Sequence, residues 1–313
     1  MKVLITGAGG FVGSYLIDCL REHGHEPVAL GIGGEEKLAA KNVPVYAVNI
    51  LDEEGMTKAL KKEQPDAVIH LAAISNVPKS WEIPDTTAEV NICGTIKLVK
   101  AMATATPNAK LLVVGSSDEY GLTAKTGVPL TEDMPCQPQN PYSISKYCAE
   151  QMALQLGKKY GLKVICTRSF NHFGPGQAKG FAISDFASQI AAIERGAQEP
   201  VMKVGNLSAN RDFTYVSDVV EAYVKLIESD KAEGVFNVCS GKSVSIGDML
   251  DMLKSFAKKD IAVIKDEQYF RKVDVKSFCG SKRKLRESID WDPKIETKSA
   301  LEKVAKYWRI KEE

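Results

Sequence analysis

The sequence predicts an α/β protein: a doubly wound parallel sheet with a smaller mixed α/β region after it. Three observations predict this. Short β-branched runs alternate with helical periods through the first two thirds of the 313 residues. The first such run ends in a glycine turn that opens a helix. The stretch Leu111-Leu-Val-Val-Gly115 is apolar on both faces. Strands that alternate with helices are joined by crossovers and lie parallel. A strand that is apolar throughout suits a sheet covered on both sides.

The apolar runs fall at residues 2–6, 27–31, 44–48, 67–71, 110–115 and 163–168. Helical periods lie between them at 12–23, 53–62, 86–104 and 142–160. They outline a dinucleotide-binding domain over residues 1–168, of the Rossmann type. After Arg168 the alternation becomes irregular, and Gly174, Pro175 and Gly176 punctuate it. Helices are expected at 183–195, 216–229, 246–257 and 298–308. Residues 169–313 are read as a C-terminal substrate-binding region over the carboxyl edge of the sheet. No linker separates the two parts, so the chain can cross between them.

The composition is that of an ordinary soluble chain: 44% hydrophobic, 26% charged, net charge +1. Basic and acidic residues are interspersed, which argues against nucleic acid and against a polybasic membrane surface. The dense basic cluster, Lys282, Arg283, Lys284 and Arg286, reads as a solvated helix face. The seven cysteines are scattered and odd in number, as expected of free thiols in a reducing cytoplasm. Their spacing suggests no metal. The start, Met-Lys-Val-Leu-Ile-Thr-Gly, has no signal-peptide layout, and no apolar run reaches membrane-spanning length. A cytoplasmic protein is expected.

Gly7, Gly10 and Gly13, with Phe11 and Val12 between the last two, follow the first strand at a Gly-x-x-Gly-x-x-Gly spacing. Such a turn lets backbone N–H groups approach a pyrophosphate, and the helix N-terminus behind it favours negative charge. The second strand ends in Leu30-Gly31-Ile32-Gly33-Gly34. It carries neither an acid to read a ribose nor a basic pocket to read a 2′-phosphate, so NADH and NADPH both stay open. Asn49 and Ile50, at the end of the third strand, are placed to flank an adenine.

Tyr142 and Lys146 are four apart at the start of a predicted helix and so share a face. A phenol titrates at about 10, and a neighbouring cation favours its ionised form. Tyr307 and Lys311 repeat the spacing, but with no glycine turn or serine-bearing strand before them. What distinguishes Tyr142 is the strand ending Val114-Gly115-Ser116-Ser117, which brings a hydroxyl to the carboxyl edge where ligands sit. Ser116, Tyr142 and Lys146 are the expected catalytic residues.

Thr6-Gly-x-x-Gly10-x-x-Gly13, His70-Leu71-Ala72-Ala73, Asn91, Ser116 and Tyr142-x-x-x-Lys146 together resemble the extended short-chain dehydrogenase/reductase superfamily over essentially the whole chain. The resemblance implies an NAD(P)-dependent enzyme without a metal, acting on a nucleotide-diphosphate sugar. It implies cofactor contacts from Leu71, Ala72, Ala73 and Asn91. It also implies a homodimer built on the helices around residues 91–104 and 142–160. Further segments are similar to the superfamily's nucleotide-binding loops: Arg168–Gln177 with Asn171, the run Asn210–Val219 with Arg211, and Arg271 with Asp274 before the run Gly280–Leu285. An arginine fork matches phosphate geometry. His172 is expected to be a core histidine.

Within the superfamily, Ser75–Trp81 and Gly115–Gly121 most resemble the GDP-mannose branch, and there the reductases that turn GDP-4-keto-6-deoxy-D-mannose into GDP-D-rhamnose. Ser75, Ser117 and Asp118 are the implied sugar contacts. The related 4,6-dehydratases carry Thr in place of Ser116 and a longer Glu in place of Asp118. Glu119, if on a strand, would point away. The alternatives are a dehydratase, a 4-epimerase with the same trio, and a non-catalytic dinucleotide sensor.

Overall fold

The computed structural model describes residues 1–266 and 275–311. The central sheet has seven strands: β1 (Lys2–Thr6), β2 (Glu26–Leu30), β3 (Val45–Tyr46), β4 (Ala67–His70), β5 (Lys110–Ser116), β6 (Val164–Ser169) and, after three strands outside this sheet, Gly234–Val238. In space the order is Gly234–Val238, β6, β5, β4, β1, β2, β3. Every pairing is parallel. The order reverses between β1 and β4, which opens a crevice beyond their carboxyl ends.

One face of the sheet is covered by α1 (Phe11–Glu22), and the other by helices that follow β3, β4 and β5. Leu16, Ile17 and Leu20 of α1 are fully buried, at roughly 1.5–3 kcal/mol each. A short helix not anticipated from the sequence, α2 (Glu35–Ala40), follows β2. α3 (Glu53–Glu63) is capped by Asp52, whose side chain accepts from the N–H of Gly55 at 2.9 Å.

The single helix expected over 86–104 is broken. α4 (Val77–Glu82) and α5 (Pro84–Ala88) each carry proline in the first turn, where its missing N–H is harmless. A wide turn over Glu89–Cys93 then precedes α6 (Gly94–Ala105). Gly94 packs on Ile50, where a Cβ would lie 3.0 Å from the isoleucine side chain. The expected strand over 44–48 shortens to β3 at the sheet edge, because Val48 N–H turns back to the Tyr46 carbonyl.

α7 (Pro141–Tyr160) runs behind β5 and β6. Beyond it come β7 (Asn171–Phe173), α8 (Ala182–Glu194), β8 (Val201–Val204), β9 (Asn210–Tyr215) and α9 (Val216–Glu228). The chain then re-enters the main sheet as β10 (Gly234–Val238), the seventh strand above, and α9 packs beside α1. The sheet therefore draws on residues from both sides of Arg168. Next are β11 (Ser243–Ser245), α10 (Ile246–Lys254), β12 (Ala262–Lys265), β13 (Ser277–Phe278), α11 (Arg283–Ile289) and α12 (Thr297–Lys311). A small sheet orders β11-β9-β13, with β7 also on β9, and β12 pairs β8. α8, α10 and α12 bury a separate core around Ile190, Leu253 and Trp308. Among the described residues, no helix is long and apolar enough to cross a membrane.

Candidate active site

The glycine turn is held open by close backbone packing. Gly7 has φ +73°, and a Cβ there would lie 2.7 Å from the Ala72 nitrogen. At Gly13 a Cβ would lie 2.2 Å from the Ala8 carbonyl oxygen. Gly9, which lies outside the spacing read from the sequence, is equally constrained: its Cβ would meet the Gly33 carbonyl at 2.4 Å. α1 starts at Gly10 with no side-chain cap, so its first N–H groups face the crevice.

The crevice is a cavity of about 740 Å³. It gathers Gly7, Gly10, Phe11, Val12, Gly13, Asn49, Ile50, Leu71, Ala72, Ala73, Ser75, Tyr142 and Lys146 along one wall system. It also takes in Gly31, Gly33, His172, Gln177, Phe181 and Tyr223, none of which was among the expected site residues. His172 therefore departs from its expected core role. Its ring stacks on Phe11 (centroids 6.3 Å apart), and burial lowers its pKa. The available signal was its place just beyond the carboxyl end of a sheet strand, where ligands gather.

The start of α7 fixes the tyrosine. Asn140 accepts from the Ser143 N–H at 2.8 Å, and Ser143 Oγ accepts from the Asn140 N–H at 3.2 Å. Pro141 occupies the first helical position, so Tyr142 stands in the first turn with Lys146 one turn on. The backbone N–H of Tyr142 donates to Ser80 Oγ at 3.2 Å. Ser116 ends β5 and caps the following turn, accepting from the Asp118 N–H at 3.2 Å.

Burial raises the Tyr142 phenol above its ordinary pKa, and a hydrogen bond with Ser116 opposes the rise. A phenol held down by Lys146 was expected. Desolvation is the largest effect on Tyr142 and favours the neutral phenol. Lys146 is buried too, and burial lowers it while the charge of Glu119 pushes back. Asp118 lies near enough for its charge to raise Tyr142 further.

Glu119 is not on a strand. It sits in the 3₁₀ turn Ser117–Tyr120, and its carboxylate folds back to accept the Ser116 N–H at 2.7 Å. Its other oxygen lies 3.7 Å from Arg168 Nε. Arg168 forks onto Glu150 at 2.8 and 3.0 Å. This buried group braces the floor beneath Ser116.

Asn91 lies outside the crevice lining. Its amide accepts from the Ile74 N–H at 2.8 Å and donates to the Ile74 carbonyl at 3.1 Å and to Ser145 Oγ at 2.9 Å. It ties the loop bearing Ser75 to α7. His70 joins Thr6 (2.7 Å) to Thr95 (3.0 Å), and burial, then Lys146, depresses its pKa to about 3.

The remaining expected substrate contacts are dispersed. Ser117 is buried, Asn171 is exposed at the start of β7, and neither lines the crevice. Arg211 is buried, and its Nη1 donates to the carbonyls of Asn210 (2.8 Å) and Val275 (2.9 Å). Arg271 and Asp274 lie outside the described residues.

Comparison with known proteins follows the same outline. The family described as GDP-mannose 4,6 dehydratase matches residues 4–304. The chain is 34% identical to the GDP-6-deoxy-D-mannose reductase of Pseudomonas aeruginosa, over 100% of this chain and 99% of that protein. A Pseudomonas aeruginosa structure solved with NADPH superposes with a TM-score of 0.83 at 32% identity, covering 99% of both chains. The Thermus thermophilus UDP-glucose 4-epimerase, solved with NAD, superposes with a TM-score of 0.88 at 28% identity over 99% of each chain.

Proposed function

Because the chain belongs to the GDP-mannose 4,6 dehydratase family, we propose that it is the NADPH- or NADH-dependent reductase of a 6-deoxy-4-keto nucleotide sugar. The substrate we infer is GDP-4-keto-6-deoxy-D-mannose, and the product GDP-D-rhamnose. The observation that carries this reading is the full-length likeness to a reductase of this sugar class, joined to a tyrosine–lysine pair in the same crevice as a dinucleotide-type glycine turn. Full-length likeness to a GDP-6-deoxy-D-mannose reductase supports the sugar.

The glycine turn and the N-terminus of α1 would hold the pyrophosphate. Asn49 and Ile50 would flank the adenine, and Leu71, Ala72 and Ala73 would line the path to the nicotinamide. The bound reduced nicotinamide supplies a hydride to the C4 carbonyl. As charge grows on that oxygen, Tyr142 gives up its proton and Ser116 hydrogen-bonds the same atom. Lys146, beneath them, stabilises the phenolate that results and orients the nicotinamide ribose. Ser75, Ser117, Asp118, Asn171, Arg211, Arg271 and Asp274 are the proposed sugar-nucleotide contacts. For the buried Arg211 this requires its guanidinium to share itself with phosphate. α7, on which Ile144, Met152 and Tyr160 are exposed, is the helix we assign, with α6, to a homodimer interface.

The test is incubation of the purified protein with GDP-mannose, GDP-4-keto-6-deoxy-D-mannose or UDP-glucose, with and without NADPH or NADH. Stoichiometric oxidation of reduced cofactor with the keto sugar alone is expected. Turnover of GDP-mannose without net cofactor use would make the chain a dehydratase, and turnover of UDP-glucose an epimerase. Tighter NADPH binding without any turnover would make it a sensor.

A further inference from the structure

The chain contains four histidines, and two of them meet on the surface far from Tyr142 in sequence. His23 caps the C-terminus of α1, and His25 follows one residue after Gly24. Gly24 has φ +73°, the left-handed turn that brings both rings to the same side. Glu221 and Glu228 project toward them from α9, two turns apart. His23 Nδ1 and His25 Nε2 both lie 2.9 Å from the same oxygen, Glu228 Oε1. On its other nitrogen, His23 Nε2 lies 2.9 Å from Glu221 Oε2. Cys19 Sγ donates to that carboxylate oxygen at 3.5 Å.

We propose that His23, His25 and Glu228 form a binding site for a divalent transition ion of the zinc type. Two imidazole nitrogens and one carboxylate oxygen, with a fourth position open to water, are a known zinc donor set. Tetrahedral coordination at ordinary zinc distances separates donor atoms by about 3.3 Å. The two histidine–carboxylate spacings need open by only a few tenths of an ångström from 2.9 Å, and the three residues offer ligand atoms within 4.8 Å of one another. The surrounding contacts suit a ligand histidine. A ligating imidazole commonly gives its other N–H to a carboxylate, which fixes the ring. Glu221 does this for His23, and Cys19 in turn orients Glu221. The C-terminal end of α1 also favours a positive charge.

Binding exchanges protons for metal. The protons that His23 and His25 share with Glu228 leave to solvent, and the ion takes their place. A metal on His25 Nε2 puts the remaining ring proton on Nδ1. The α-ammonium of Met1, 3.3 Å from Nδ1, must then lose a proton before its nitrogen can accept from Nδ1–H. Occupancy would pin α1 to α9 across a sequence separation of 203 residues. Both helices reach the crevice: the glycine turn opens α1, and Tyr223 of α9 lines the cavity.

The experiment is titration of the intact protein with Zn²⁺ by calorimetry in two buffers of different ionisation enthalpy. Thermal unfolding with and without Zn²⁺ follows, and absorption spectroscopy with Co²⁺ as the probe. The expected result is one bound equivalent with proton release, and a higher unfolding midpoint. The cobalt spectrum should lack a thiolate charge-transfer band, which separates this site from the exposed Cys93. His25→Gln and Glu228→Gln should each lower zinc affinity at least tenfold while leaving the metal-free midpoint near that of the parent. Should one variant fail to fold, the other carries the comparison. Unchanged affinity in the variants, no binding at micromolar zinc, or a thiolate band would overturn the proposal.

Discussion

Tyr142 and His70 are governed by the same force with opposite consequences. Burial penalises the charged form of each, so the phenol keeps its proton and the imidazole sheds one. For Tyr142 the expected outcome of Tyr142→Phe is a loss of turnover of at least ~100-fold, the low end for a positioned acid, with dinucleotide affinity retained. Steady-state kinetics and a direct binding titration check both halves. Below about 6.5 the unfolded imidazole of His70 takes up a proton, whereas the folded one waits until about 3. The unfolded state then binds more protons, so stability falls as the pH drops through that window, by up to about 1.4 kcal/mol per unit. Urea midpoints between pH 6.5 and 4.5 should fall more steeply in the parent than in His70→Gln, and parallel slopes would remove the assignment. Tyr142, Lys146 and Ser116 are proposed from residue type and order alone, which is all a sequence needs to carry such a trio. Glu119 was not legible, since the strand expected there is a 3₁₀ turn whose cap folds the carboxylate inward.

Elements place these residues through a few tight approaches. The Cβ of an alanine at Gly13 would sit 2.2 Å from the Ala8 carbonyl. Gly13→Ala should therefore destabilise the protein by roughly 1–3 kcal/mol, as overpacking does, and should weaken NADPH binding in a fluorescence titration. Asn91 was read as a cofactor contact on the strength of resemblance. Its place in the wide turn before α6 instead spends its amide on Ile74 and Ser145. Asn91→Ala leaves the buried loop polar groups without partners, at about 1–3 kcal/mol. A lower thermal midpoint with little change in dinucleotide affinity is the expected outcome. The periodicity over residues 86–104 showed one helix because Pro84 and the wide turn leave the apolar spacing intact. Only their geometry interrupts the axis.

At the scale of the whole molecule, the proposed dimer rests on α7, which leaves Ile144, Met152 and Tyr160 exposed. Met152→Glu should shift the sedimenting species to monomer, and a parent that already sediments as a monomer would refute it. The alternation of strands and helices determined the parallel sheet, and the glycine turn marked the end of it that we assign to a dinucleotide. These are local signals: hydrophobic period, turn chemistry and residue type, each set within a few positions. The tertiary structure alone decided that residues 234–238 return to complete the sheet. It decided that His172 and Tyr223 join the crevice, and that His23 and His25 meet Glu228. Each of these depends on approach between segments far apart in the chain, and on the loss of water around the groups that meet. No window of sequence records either.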